Sequence, residues 1–284
     1  MSSGIERRSL LAAGATGFVA LIGGCGAAAD PRAAARAGTV RAGTVRAGTV
    51  QAGAPPSAAT SVVTANGPLA GRVVGIDPGH NGGNFKNPAF LNAPVWNGRE
   101  WEGCDTTGTE TDAGYTEALY NFNVARFLRA ELVSDGATVV MTRTSNDGLG
   151  PCVNRRARII DDAHADVAID IHADGGPPGG RGFSILEPVA DGTNDAVITS
   201  SARFGAVLRS AYAAGTPMPV SDYYGVDGIE YRNDLAGLNL TSVPKVLIEC
   251  GNMRNAADAA LLSTTEFQRA AAHAIAAGIR RFLS

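Results

Sequence analysis

Three short apolar runs in this 284-residue chain each end on a side chain that can bind a metal or move a proton. Val73-Val74-Gly75-Ile76-Asp77-Pro78-Gly79 leads into His80, Val167-Ala168-Ile169-Asp170-Ile171 into His172, and Val246-Leu247-Ile248 into Glu249. Aliphatic, β-branched runs of this length read as buried parallel strands. Open α/β sheets bind ligands just beyond the carboxyl ends of such strands. Three of them in one sheet would bring two imidazoles and a carboxylate to one edge, which is the chemistry of a metal hydrolase.

Helical stretches alternate with the strands. Strands are expected at 72–77, 137–142, 166–171, 182–186 and 246–249. Phe122, Ala125, Leu128 and Leu132 recur at helical spacing, so 117–134 reads as an amphipathic helix stopped by Asp135-Gly136. Further helices are expected at 154–163, 200–213 and 265–283, and 81–116 reads as a long polar, Gly-rich loop. The alternation implies an α/β fold: one domain, 69–284, with a mostly parallel, twisted sheet of about six strands and helices on both faces.

The first 68 residues read differently. Glu6-Arg7-Arg8-Ser9-Leu10-Leu11 opens a run that is apolar or small through Gly24, too short to span a bilayer comfortably. A basic start followed by a short apolar stretch is an export signal, here 1–25, and the paired arginines resemble the twin-arginine type. Leu21-Ile22-Gly23-Gly24-Cys25 resembles a bacterial lipobox, in which Cys25 carries lipid and tethers the mature protein to a membrane. Ordinary cleavage near Ala27-Ala28-Ala29 is the alternative. Residues 26–68 read as a flexible Ala/Gly/Pro-rich linker, with Arg-Ala-Gly-Thr-Val occurring at 36–40, 41–45 and 46–50. Some 45 residues of this kind reach roughly 35–40 Å. The folded part is therefore expected in the cell envelope or outside the cell.

An exported protein keeps disulfides. Cys104 and Cys152 both sit in loop-like surroundings and are expected to pair, pinning the long loop. Cys250, inside a strand, is expected to be an inert core thiol. The formal net charge is −3 and no basic stripe interleaves with aromatics, so nucleic acid is not an expected partner. The chain is expected to act as a monomer.

A zinc hydrolase needs three protein ligands and an open position. His80 and His172 supply two. Glu117, at the start of a helix, is the best third candidate, and Glu110, deeper in the loop, is the second. Glu249 is then left to act as the base. His164 and His273 have no acidic partners in register and are expected to be structural. Asp170 lies two residues before His172 on the same strand face and could accept the free N–H of an imidazole, a helix-cap or water contact being the alternative.

Several segments occur in a recognisable order: Asp77-Pro78-Gly79-His80, Glu117 with Asn121, Thr142-Arg143, Arg156 through Asp166, Ile171-His172-Ala173-Asp174, and Glu249-Cys250-Gly251-Asn252-Met253-Arg254-Asn255. This pattern resembles the zinc-dependent N-acetylmuramoyl-L-alanine amidases, cell-wall hydrolases of the type 3 family, and their compact actinobacterial branch in particular. The resemblance covers nearly all of 70–284. It implies one zinc ion per chain held by His80, Glu117 and His172, with Glu249 as the catalytic carboxylate. It also implies hydrolysis of the amide between the lactyl group of N-acetylmuramic acid and L-alanine, in peptidoglycan or muropeptides, with activity falling on the acid side. Two departures stand out: Asp170 where many members have Ser, and Cys250-Gly251 where many have Gly-Phe. Trp96 and Trp101 in the long loop would cover or line the cleft. No wall-binding repeat is recognised, which favours fragments or locally exposed wall as substrate. A carboxypeptidase-like reading would instead use Arg232 or Arg254 to hold a terminal carboxylate, and a non-catalytic wall-peptide binder would have lost a ligand or the base.

Overall fold

The structure, a computed structural model, describes residues 66–284. The expected export signal, Cys25 and nearly all of the expected linker lie outside the described residues. Residues 66–68 lead into a turn, and Leu69 is buried with its N–H on Asp135 O at 3.0 Å.

The elements in chain order are β1 Val73–Pro78, α1 Pro88–Leu91, β2 Pro94–Trp96, β3 Trp101–Gly103, α2 Glu117–Ser134, β4 Thr138–Met141 and α3 Val153–Asp162. They continue with β5 Val167–Asp174, β6 Ser184–Pro188, α4 Ile198–Gly215, β7 Ile229–Arg232, α5 Ala236–Asn239, β8 Lys245–Asn252, α6 Ala256–Leu262 and α7 Thr265–Leu283. Six strands form one sheet in the order β4-β1-β5-β8-β6-β7. β4, β1, β5 and β8 run parallel, while β6 meets β8 antiparallel and β7 follows β6 in parallel. The sheet is thus mostly parallel, as expected.

Side chains alternate between the faces of a strand, and this period divides the sheet into two unlike surfaces. Val74 and Ile76, Ile169 and Ile171, Val246 and Ile248, and Ile185 join α2, α4 and α7 in the main core. In α2 the buried stripe is Tyr120, Val124, Ala125, Leu128 and Leu132. A fully buried leucine contributes about 1.5–3 kcal/mol, so this stripe, not intrinsic propensity, holds the helix in place. Phe122 turns aside and lies 5.0 Å from the Arg143 guanidinium. Gly136, at φ 90°, ends the helix in the left-handed region that glycine tolerates.

The opposite face carries the chemistry. Asp77 stands opposite Asp170, and His172 opposite Glu249; Lys245 and Leu247 precede Glu249 on the same face of β8. Among the described residues two small apolar clusters lie on it: Ile160 with Ala168, and Leu238 with Leu186 and Leu247.

Segment 81–116 is not the open loop expected from its composition. It contains α1 and the β2–β3 hairpin, in which Trp96 pairs with Trp101. Asn97 Oδ1 accepts from the N–H groups of Arg99 and Glu100 at 2.9 Å, and Gly98 has φ 106°. Side-chain-to-backbone bonds of this kind replace the apolar periodicity that the segment lacks. The Cys104–Cys152 disulfide forms as expected and closes 48 residues. β7, α5 and α6 were also unexpected; β7 and α5 are four residues long, and α6 is seven.

Candidate metal centre

β1 ends in a sharp turn that two buried arginines clamp. Arg156 donates from Nη1 to Asp77 Oδ1 at 2.8 Å and to Pro78 O at 2.7 Å, and from Nη2 to His80 O at 2.9 Å and Asn81 Oδ1 at 2.8 Å. Arg143 donates to Pro78 O at 2.9 Å, Gly79 O at 3.2 Å and Ala118 O at 2.7 Å. His80 adopts φ 60°, an unfavourable region for a side chain with a Cβ, held there by this network. Gly79 is required by close approach: a Cβ there would overlap the His172 ring.

Three donors then converge. The ligand-type atoms of His80, Glu117 and His172 all lie within 4.8 Å of one another. Glu117 is the bridge. Its Oε1 is 2.8 Å from His172 Nδ1, and its Oε2 is 3.2 Å from His80 Nε2. It also accepts from Thr109 N–H at 3.0 Å and Ala173 N–H at 3.2 Å. The two rings meet edge-on, with centroids 4.9 Å apart. Glu110 is not part of this cluster; it is exposed and makes a strand-like bridge with Thr116.

Burial opposes charge at Glu117 and His80, yet their partners outweigh it. Glu117 is held well below the ordinary carboxylate value, because the His80 and His172 contacts overcome its desolvation. His80 is likewise raised to about 10, burial being overcome by Glu117 and Asp105. Glu249 moves the other way. Burial, reinforced by the charges of Glu117 and Asp174, raises it well above the ordinary value. Its Oε2 is buried and accepts no hydrogen bond from the described residues. A cluster of two imidazoles and one carboxylate beside an unsatisfied carboxyl oxygen fits a dication with a water-activating base.

The carboxylate that meets an imidazole from behind is not the expected one. Asp105 Oδ1 lies 3.2 Å from His80 Nδ1, and Thr106 O lies at the same distance. Asp170 makes no hydrogen bond to either histidine among the described residues. Its Oδ1 is 2.7 Å from Lys245 Nζ, which is fully buried and also 3.5 Å from Asp77. Burial, offset in part by Lys245 and aided by Asp77, raises Asp170 to about 7. The shared strand face brought Asp170 near His172, but the lysine reached it first. Asp105 was missed although it directly follows Cys104 of the expected bridge. Lys245 was missed too, and a charge opening an apolar strand was the available signal.

The cluster opens on a cleft of about 340 Å³ lined by Thr107, Thr109, Asp174, Leu235, Arg232 and Glu249, among others. Behind the imidazoles lies a second hollow of about 280 Å³, lined by Asp77, Glu102, Gly103, Asp170 and Leu247, among others. The hairpin therefore contributes Glu102 and Gly103 to the walls. Trp96 and Trp101 do not line either hollow; they are 43 % and 68 % exposed and pack edge-on against each other. His164 lies outside the cluster, in the turn after α3, and His273 is a surface residue 3.1 Å from Glu131. Cys250 is buried, and burial pushes its thiol up to about 12.

A sequence profile described as N-acetylmuramoyl-L-alanine amidase matches residues 74–281, a span that contains the whole cluster and Glu249. The chain belongs to this amidase family. It is 37 % identical over 228 residues to N-acetylmuramoyl-L-alanine amidase Rv3717 of Mycobacterium tuberculosis, covering 80 % of this chain and 92 % of that protein. Among solved structures it resembles the N-acetylmuramyl-L-alanine amidase Ami1 of Mycobacterium smegmatis, with TM-score 0.72 and 40 % identity over 76 % of this chain and 98 % of that one. Ami1 of Mycobacterium abscessus gives TM-score 0.71 and 39 % identity, over 75 % of this chain and 99 % of that one. These relatives agree with the actinobacterial-like branch suggested by the segment around Glu249.

Proposed function

We propose that this chain is a zinc amidase acting on peptidoglycan or its fragments, for wall turnover or remodelling. The bond cut joins the lactyl carbonyl of N-acetylmuramic acid to the nitrogen of L-alanine. The observation that carries the mechanism is the buried, unsatisfied Oε2 of Glu249 beside the His80–Glu117–His172 cluster.

His80, Glu117 and His172 would hold one zinc ion, both imidazoles being neutral when they ligate. Zinc supplies Lewis acidity, polarising a carbonyl and lowering the pKa of water. Glu249 takes the proton of the attacking water and returns it to the alanine nitrogen as the carbon–nitrogen bond breaks. The products are a lactyl carboxylate and a free peptide amine. Its place opposite His172 keeps Glu249 within the cleft, where its carboxylate can reach the attacking water. Asp105 orients His80, and the arginine clamp fixes the turn that carries it.

The protein works outside the cytoplasm in this reading, tethered through lipidated Cys25. The Arg7-Arg8 pair, the apolar run and the lipobox-like segment support this, as does a disulfide. A mass measurement on the N-terminus of the native protein tests the tether. For the activity, purified sacculi are treated with chelator-stripped and zinc-restored protein, and new amino termini are labelled. Alanine termini appearing only with zinc support the proposal; their absence in both samples contradicts it.

A further inference from the structure

The open cleft holds one permanent cation among its described lining residues, Arg232; the carboxylates there are Glu117, Asp174 and Glu249. Arg232 closes β7, and its head group is fixed from two sides. Nε and Nη2 donate to Asp234 Oδ1 and Oδ2 at 2.7 Å each, and Nη1 donates to Tyr224 Oη at 2.5 Å. A guanidinium has five N–H bonds, so two remain for a ligand. Asp234 is 45 % exposed, and water screens its charge. Leu186, Leu235 and Leu247 line the same cleft and strengthen any ion pair made within it.

The register of the sheet sets how far Arg232 stands from the chemistry. Ser184 of β6 pairs with Glu249, and Pro188 of β6 pairs with Arg232. Four residues separate the two levels, ~13 Å at ~3.3 Å per residue. An extended arginine covers only part of that distance. Both side chains line the same cleft, so its head stands within a residue or two of extended peptide from the bond that Glu249 serves.

The substrate's own chemistry decides what Arg232 would meet. The lactyl carboxyl is consumed in the scissile amide, so the sugar is neutral and every carboxylate belongs to the leaving peptide. We propose that Arg232 determines specificity by pairing with a carboxylate on the residue that follows alanine. This rests on the amidase reading. The planar fork of arginine suits a two-point contact with a carboxylate, and Asp234 and Tyr224 hold it ready.

The test uses two synthetic N-acetylmuramoyl-L-alanyl peptides that differ only in whether the second residue carries a carboxylate or its carboxamide. The zinc-loaded wild-type protein is expected to prefer the carboxylate by about tenfold in kcat/KM, the difference lying in KM. R232Q is expected to bring the ratio close to one, with zinc content retained, and R232K to keep part of the preference. A wild-type ratio near one, or a ratio that survives in R232Q, overturns the assignment. If the wild type cleaves neither peptide, the amidase reading itself fails and takes this inference with it. That outcome is distinct from cleavage of both at equal rates.

Discussion

His172 and Glu249 stand opposite one another on adjacent parallel strands, the imidazole paired with Glu117 and the carboxylate left with an oxygen that accepts no hydrogen bond from the described residues. Two residues at one level of the sheet thus have different surroundings and, in this account, different tasks. One belongs to a satisfied cluster that seeks a cation. The other is a buried group of raised proton affinity, facing the place where water would react.

That division predicts two different failures. Glu117→Ala is expected to lose zinc and activity together. Glu249→Ala is expected to retain zinc and lose about 10²–10⁴ in kcat, the usual worth of a general base. Metal analysis alongside kinetics separates the two. Zinc loss in Glu110→Ala with zinc retained in Glu117→Ala would move the ligand to the wrong end of the loop and contradict the account.

The parts of this site that follow from period and position were legible in the sequence. His80, His172 and Glu249 end apolar runs, and Glu117 opens an 18-residue helix whose expected bounds match the structure. What was not legible depends on which long side chain arrives first. Asp170 shares a face with His172, but Lys245 crosses from the next strand and takes it. Asp105 reaches His80 because a 25-residue excursion folds back, and that excursion has no apolar period to read. Its order comes from Asn81, Asn84 and Asn97, each buried and bonded to other loop groups or backbone. The Asn97-Gly98 step between two tryptophans was a usable hairpin signal. β7 gave only a brief signal, since Ile229-Glu230-Tyr231-Arg232 alternates apolar and charged residues over just four positions.

Asp105 should matter for metal affinity more than for fold. Carboxylates behind a ligating histidine typically contribute 10- to 100-fold in affinity. Asp105→Asn is expected to weaken zinc binding by roughly that factor in a competition titration with a chromophoric chelator. Unchanged affinity would mean that Thr106 O alone orients His80.

The disulfide joins the two segments that meet at His80, since Cys104 precedes Asp105 and Cys152 precedes the helix carrying Arg156. Closing a 48-residue loop restricts the unfolded chain and is worth about 2–4 kcal/mol. The double Cys104→Ser, Cys152→Ser variant is expected to show that loss in urea unfolding and to bind zinc more weakly than the wild type. Equal zinc affinity in the two proteins would confine the bridge to a stability role.

Glu187 offers a pH test away from the site. It is 4 % exposed in β6, and burial raises its carboxyl from 4.5 to about 7. Between those values the folded state keeps a proton that the unfolded state has released. Stability from this group is therefore present below pH ~4.5, and it falls as pH rises toward ~7. Glu187→Gln is expected to remove that slope and to be more stable than the wild type by up to about 3 kcal/mol at pH 8, with little difference at pH 4. Parallel stability curves for the two proteins would contradict the shift.

The most direct measurement is mass spectrometry of a purified disaccharide–peptide after incubation with the zinc-loaded protein. The expected products are the intact disaccharide bearing a lactyl carboxylate and a free peptide beginning with alanine, with neither formed by Glu249→Ala. Cleavage at a peptide bond instead, or wild type and Glu249→Ala behaving alike, would contradict the central claim.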